Sequence, residues 1–379
     1  MSAFLNLLHK LITMTIMRMF GAVASVTFVV SFLIASISNT ALADPDSDWL
    51  ARSTAPGVLM ATRFDTAAEV ERDTHPDSNA FHVIWDQSNK ASGNGSMRMN
   101  ILKTDSDSSG NWVRYLSDDQ REFGPGQTFF VQFRQYIPAY LATHAFSGTQ
   151  IGPYAGGWKQ TIISNIRGSN QLFEVVLQNT NHRGLIQGYN RNSEGSYLGW
   201  DDAIATACSG ADFVYQNQID RGQGTNTCLN ARRTYGGLYS YGSNTGAPDP
   251  ETGAFIYYPN EWLTFLIKVA PGTFGGGSNL RDTNIQIWAA RENDTEYTLL
   301  IDQQVNLGRE TDSSGNPFYF DAIWLLPYNT GRSPDPNRQD TYTLYDEIIV
   351  STQSIPAPNS NPAGPGSTVP ARITDLTAN

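Results

Sequence analysis

Three runs between Phe129 and Arg191 restrict the possible folds of this chain more than any other feature. Phe129–Ile137, Trp158–Ile163 and Leu172–Gln178 are rich in aromatic and β-branched residues and are separated by turn-forming sequence. Their polarity alternates with a period of two, as expected of extended strands. Gln132, Arg134 and Tyr136 share one face of the first run, and Val131 and Phe133 share the other. In the second run Lys159 lies opposite Trp158 and Gln160; in the third, Glu174, Val176 and Gln178 alternate with Val175 and Leu177. Strands that repeat amides, cations and a phenol beside an apolar row form either the polar floor of a groove or a solvated sheet face.

Charge bears on that choice. The segment holds Arg134, Lys159, Arg167, Arg183 and Arg191 against Glu174 alone, a net of +4 in a chain of net −11. Screening over roughly 8–10 Å hides the distant negative charge, so a local anion site is compatible with an acidic protein. The overall acidity argues against a nucleic-acid or anionic-membrane partner.

The first 43 residues read as a secretory signal peptide. Lys10 and Arg18 precede an apolar run from Phe20 to about Ile37, and Ala41-Leu42-Ala43 is a small-x-small cleavage site before Asp44. Losing those two cations and no acid takes the net charge from −11 to −13. No later run approaches the ~20 apolar residues of a spanning helix. A secreted or periplasmic protein is expected, free of the membrane after cleavage, with nothing that calls for more than a monomer. In such a compartment Cys208 and Cys228, the only cysteines, most simply form one disulfide. By loop-closure reasoning it contributes on the order of 3 kcal/mol. The remaining histidines, His75, His82, His144 and His182, show no ligand spacing, so no metal site is expected.

Short strands and turns continue in both directions. Val58–Phe64, Phe81–Trp85, Ser96–Ile101 and Trp112–Leu116 read as strands, with Met97, Met99 and Ile101 alternating against Arg98 and Asn100. Tyr235–Tyr241, Trp262–Val269, Asn284–Ala290, Tyr297–Asp302, Phe318–Pro327 and Tyr342–Ser351 follow. Long amphipathic helices are absent, and Pro138 to His144 allows at most a short one. The expected organisation is one all-β domain over 44–355 and a Pro/Asn/Ser/Gly linker over 356–370. Residues 371–379, with Arg372-Ile373-Thr374-Asp375-Leu376, resemble the opening strand of a fibronectin type III domain.

Several motifs, in this order, carry a wider resemblance. They are Gly95-Ser96-Met97-Arg98, Phe130–Arg134, Gly157-Trp158-Lys159-Gln160, Val175–Thr180, Asn260-Glu261-Trp262 and Tyr345-Asp346-Glu347-Ile348-Ile349-Val350-Ser351. Together they resemble the concanavalin A-like jelly rolls, and among these the alginate, glucuronan and heparin lyases. The resemblance implies a β-jelly-roll sandwich of two antiparallel sheets. The chain departs from the alginate-lyase pattern at three places. Arg98-Met99-Asn100 lacks the expected glutamate, Gln178 and His182 are four apart instead of two, and Tyr328-Asn329 lacks the following glutamine.

The resemblance implies an acidic, uronate-containing polysaccharide cleaved by β-elimination. That chemistry needs a partner for the carboxylate, a base for the C5 proton and an acid for the departing oxygen. Arg134 is the candidate carboxylate partner, helped by Gln178 and Asn179. Tyr328 is the candidate acid, and also the base if nearby cations favour its phenolate. His182 is the alternative base, and Lys159 assists either step. Gln132, Trp158, Arg183, Tyr189 and Asn329 are candidate substrate contacts. The chemistry requires no cofactor, and no Asp/Asn-rich loop has a clear calcium-ligand spacing, although the fold admits calcium. Two alternatives stay open: a non-catalytic carbohydrate-binding module, and a laminarinase-type hydrolase using Glu292-Asn293-Asp294-Thr295-Glu296. The Asn-Asp pair in that motif favours a turn, which would splay its carboxylates.

Overall fold

A computed structural model describes residues 44–75, 81–106, 110–116, 121–143, 158–165, 173–179, 186–192, 213–216, 257–274, 280–307, 319–328, 334, 336 and 338–360. Its elements in chain order begin with α1 (Pro45–Ser53), β1 (Val58–Thr62), α2 (Ala67–Arg72), β2 (Val83–Asp86) and β3 (Ser96–Ile101). Then come β4 (Trp112–Tyr115), β5 (Phe129–Tyr136), α3 (Ala139–Thr143), β6 (Lys159–Ser164), β7 (Phe173–Asn179) and β8 (Ile186–Asn192). The remainder are β9 (Phe213–Gln216), β10 (Trp262–Ala270), β11 (Thr273–Phe274), β12 (Leu280–Ala290), β13 (Thr298–Leu307), β14 (Ala322–Tyr328) and β15 (Thr341–Ser351).

The strands form two sheets. One runs β11-β12-β10-β5-β15-β3-β2, with β1 also pairing β15 and β13 pairing β12; the other runs β4-β14-β6-β7-β8-β9. Every pairing between these strands is antiparallel. This is the two-sheet jelly-roll sandwich that the resemblance implies.

The period-two patterns decide which side chains meet between the sheets. Met97, Met99 and Ile101 of β3 lie in the main apolar cluster, with Phe129, Val131 and Phe133 of β5. Ile163, Val175, Leu177, Ile323 and Leu325 join it from the six-stranded sheet. These side chains are at most 2% exposed, so burial of the alternate apolar rows holds the layers together.

The outward side of the nine-stranded sheet is itself covered over part of its area. Phe130, Leu266, Trp288 and Ile349 form a second cluster with Ile355, against which Trp49 and Tyr297 pack. The cover comes from α1 and from the chain after β15, where Ile355 and Ala357 are buried and the Asn359 N–H donates to Asp48. The beginning of the expected linker therefore packs against the sandwich. Helix α1 was not foreseen among the short strands and turns. It is set by local chemistry: Asp44 caps Ser47 N–H, Pro45 opens the first turn, and Arg52 lies in the last. Helix α2 has a capping box in which Thr66 and Glu69 satisfy each other's backbone N–H groups. Helix α3 lies where a short helix was expected.

Charge is buried beneath α1. Arg52 is 1% exposed and donates to Asp48 (2.8 Å), Gln132 (2.6 Å) and Glu347 (2.5 Å). The β5–β15 register shifts between Asp346 and Ile349, and Glu347 adopts φ 51° there. One extra residue at a bulge changes which side the following side chains face. Glu347 accordingly joins Arg52 outside the sheet, while Ile348 enters the main core.

Candidate functional site

The outward face of the six-stranded sheet is organised in cross-strand rows, because directly paired residues of antiparallel strands stand side by side. Tyr328 of β14 pairs with Lys159 of β6, and Lys159 pairs with Gln178 of β7. Gln178 pairs with Gln187 of β8, which pairs with Gln216 of β9. One line of backbone register across five strands thus runs through Tyr328, Lys159, Gln178, Gln187 and Gln216. The adjacent row is mostly apolar: Val113, Trp324, Ile162, Val176, Tyr189 and Val214. Ile162, Val176 and Leu326 form a small cluster of their own on this face, with Trp324 and Tyr328 packed against it.

Lys159 owes its place to an irregularity in β6. The β6–β7 register shifts between Lys159 and Thr161, and the β14–β6 register shifts between Leu325 and Tyr328. Gln160 and Thr161 are both fully buried; Gln160 bonds Gln135 between the sheets, and Thr161 pairs with the core residues Leu325 and Leu177. Two consecutive inward residues leave the preceding one turned outward. The Lys159 ammonium consequently lies 4.8 Å from the centre of the Tyr328 ring, on its face. Both residues remain partly exposed. Farther along β14, the Trp324 indole N–H donates to Ser164 Oγ (3.2 Å), and His75 stacks on Trp324 with centroids 5.8 Å apart.

The other sequence candidates separate into three groups. Arg134 and Gln132 lie on β5 of the other sheet, on its outward side beneath α1, and are buried. Gln132 accepts from Arg52 and donates to Tyr297 and the Pro356 carbonyl; Arg134 faces Glu347 at 3.7 Å. Their alternation is the one expected, but the face they share belongs to a buried ionic cluster. This corrects their assignment as carboxylate partner and substrate contact. Trp158 is corrected likewise: it is 1% exposed in the main core and unable to stack on a ligand.

A second group is placed by its backbone. Gln178 belongs to the row described above, Tyr189 pairs with Val176 in the apolar row, and Asn179 pairs with Ile186 one position off. The third group, His182, Arg183, Asn329, Cys208 and Cys228, lies outside the described residues, as does the expected strand at Tyr235–Tyr241.

The Glu292–Glu296 motif falls in the turn between β12 and β13, where Asp294 accepts from the Arg291 N–H. Its setting is a hairpin tip, as its Asn-Asp pair implied, and not one face of a strand. Among the described residues no group of His, Cys, Asp or Glu could hold a metal, and no helix is long and apolar enough to cross a membrane. Gln187, Gln216, Trp324 and His75 were not singled out from the sequence. The two glutamines become visible only once β8 and β9 are paired with β7, since nothing local to them marks a site.

No protein-family model and no curated protein matches the chain. Solved structures do resemble it. A marine alginate lyase from Aplysia kurodai aligns with a TM-score of 0.48 and 9% identity, over 78% of this chain and 99% of that chain. An endo-β-1,4-glucuronan lyase from the fungus Trichoderma reesei aligns with a TM-score of 0.40 and 8% identity, over 74% and 90%. The catalytic domain of a glycoside hydrolase family 131 protein from Coprinopsis cinerea aligns with a TM-score of 0.34 and 10% identity, over 81% and 100%.

Proposed function

We propose that this protein is an exported lyase that cleaves an acidic, uronate-containing polysaccharide by β-elimination on the outward face of its six-stranded sheet. The observation that carries the reading is the Lys159–Tyr328 pair, an ammonium 4.8 Å from a phenol ring at the head of a row continued by Gln178, Gln187 and Gln216. With Arg134 enclosed elsewhere, Lys159 takes over neutralisation of the substrate carboxylate. Neutralisation makes the C5 proton acidic enough to leave. Tyr328, reacting as the phenolate, accepts that proton; the C4–O bond breaks as the C4–C5 double bond forms, and Tyr328 returns the proton to the departing glycosidic oxygen. The step needs no co-reactant and yields one unsaturated end and one new reducing end.

Incubation with alginate, glucuronan and heparin, followed by ultraviolet absorbance of the conjugated uronate, tests the reading. Rising absorbance that is lost in Lys159→Ala and Tyr328→Phe supports it. New reducing ends without that absorbance would mean hydrolysis. Retention on an immobilised polyuronate with neither product would mean a carbohydrate-binding module.

A further inference from the structure

A hydroxyl from the opposite sheet reaches the two strand irregularities that present Lys159 and Tyr328. Tyr345 belongs to β15 of the nine-stranded sheet and is fully buried in the main core. Its Oη donates to the backbone carbonyl of Gln160 at 2.7 Å and lies 3.3 Å from the carbonyl of Leu326. Gln160 sits inside the β6–β7 register shift and Leu326 inside the β14–β6 shift. A bulge interrupts the ladder, and a buried carbonyl left unpaired is costly, so the irregular geometry persists only if another donor serves it. Gln135 of β5 adds a second tie: its Nε2 donates to Gln160 Oε1 at 2.5 Å and is also near Thr343 Oγ1 (3.0 Å) and Tyr345 Oη (3.1 Å). Gln160 completes the set by donating from its own Nε2 to the Trp158 carbonyl at 3.2 Å. Gln135, Gln160, Thr343 and Tyr345 are all fully buried. Burial raises the Tyr345 phenol well above its ordinary range, which keeps it a neutral donor.

We propose that Tyr345 and Gln135 are positioning residues for the Lys159–Tyr328 pair: from inside the sandwich they hold the Gln160 irregularity that turns Lys159 outward over the Tyr328 ring. The geometry stands on its own, while its meaning for turnover rests on the elimination reading above. Without these donors, a return of β6 to regular pairing would rotate Lys159 toward the interior, and burying an ammonium there is prohibitive. The segment would instead rearrange, and the ammonium would leave the ring.

The test follows Lys159 without using substrate. Reductive ¹³C-methylation of the full chain labels the lysines, and Lys159→Arg identifies its dimethylamino resonance. In the native protein that resonance is expected upfield, displaced by the Tyr328 ring 4.8 Å away; Tyr328→Leu supplies the undisplaced position. Tyr345→Phe is expected to lose most of the displacement. Ile163→Val, a core change on the same strand, is expected to lower the melting temperature and keep the displacement. If Tyr345→Phe fails to fold, Gln135→Met is read the same way. A folded Tyr345→Phe or Gln135→Met with native displacement overturns the proposal. A native protein inactive on every uronate tested, whose displacement still vanishes in Tyr345→Phe, would overturn the elimination reading and leave the positioning role standing.

Discussion

Arg52 and Glu347 are 295 residues apart in sequence and form an ion pair at 2.5 Å, the arginine side chain 2% exposed and the glutamate side chain wholly buried. The pair fastens the first helix to the outward side of the nine-stranded sheet, and Asp48, Gln132 and Arg134 complete its surroundings. Removing one partner of a buried pair leaves the other charge uncompensated, which costs about 3–5 kcal/mol. Arg52→Ala is therefore expected to lose stability on that scale in urea unfolding. A loss within about 0.5 kcal/mol, the range of an ordinary surface change, would mean that the cluster does not fasten the helix.

The same cluster sets an acid limit. Burial works against ionisation of Glu347, but Arg52 and Arg134 outweigh it and hold the carboxyl below its ordinary 4.5. A depressed folded value gives stability that is complete above the unfolded value and is lost as pH falls through the folded one. Asp346 acts in the opposite sense: burial and the adjacent Glu347 raise it, so its protonation in acid restores stability. The stability gap between the native protein and Glu347→Gln should thus be widest near neutrality and narrow as pH drops below 4.5. Urea midpoints measured from neutrality to about pH 3, spanning the carboxylate range, will show this; a gap constant with pH would exclude the ionic origin.

Lys159 and Tyr328 carry the chemistry in the elimination reading, and both stand on a partly exposed face. Tyr328→Phe removes the proton-transferring oxygen and is expected to lower turnover by about 10²–10⁴-fold with little change in melting temperature. Lys159→Ala removes the carboxylate partner and should cost about 10²–10³-fold in turnover. Steady-state kinetics on the responsive polyuronate measure both. Near-native turnover in either variant contradicts its assigned role.

Arg134 discriminates between the two faces of the protein. Buried against Glu347 on the far side of the nine-stranded sheet, it belongs to the fold and not to the row headed by Tyr328. Arg134→Gln is expected to lower the melting temperature while turnover per folded molecule stays within about threefold, in line with a purely structural loss. A folded Arg134→Gln with turnover reduced as far as in Lys159→Ala would return Arg134 to the site.

Much of the layer structure was legible from alternation. Met97, Met99 and Ile101 point inward and Arg98 and Asn100 do not, as their spacing in the sequence indicates. The strongest strands, at Phe129, Trp262 and Tyr342, lie within two residues of their expected bounds. Strand β8 was not among the expected strands; it contains Gly188, Asn190 and Asn192, residue types depleted in strands, and pairing with β7 overrides that local preference. The two N-terminal helices were missed because they are short and defined by caps more than by an apolar stripe.

The sequence alone determined that the chain makes short, half-buried strands, and it marked which side of each strand is apolar. That information is local, since alternate residues point to opposite faces whatever the strand's neighbours are. Only the tertiary structure decided what each polar side meets. Arg134 and Lys159 occupy equally convincing strands, yet β5 and β6 joined different sheets, and α1 closed over the first of them. One extra residue at Gln160 and another at Glu347 then reassigned side chains between faces. Bulges and sheet membership depend on pairing between distant strands, so the same alternating pattern can become a buried ionic cluster or an open row.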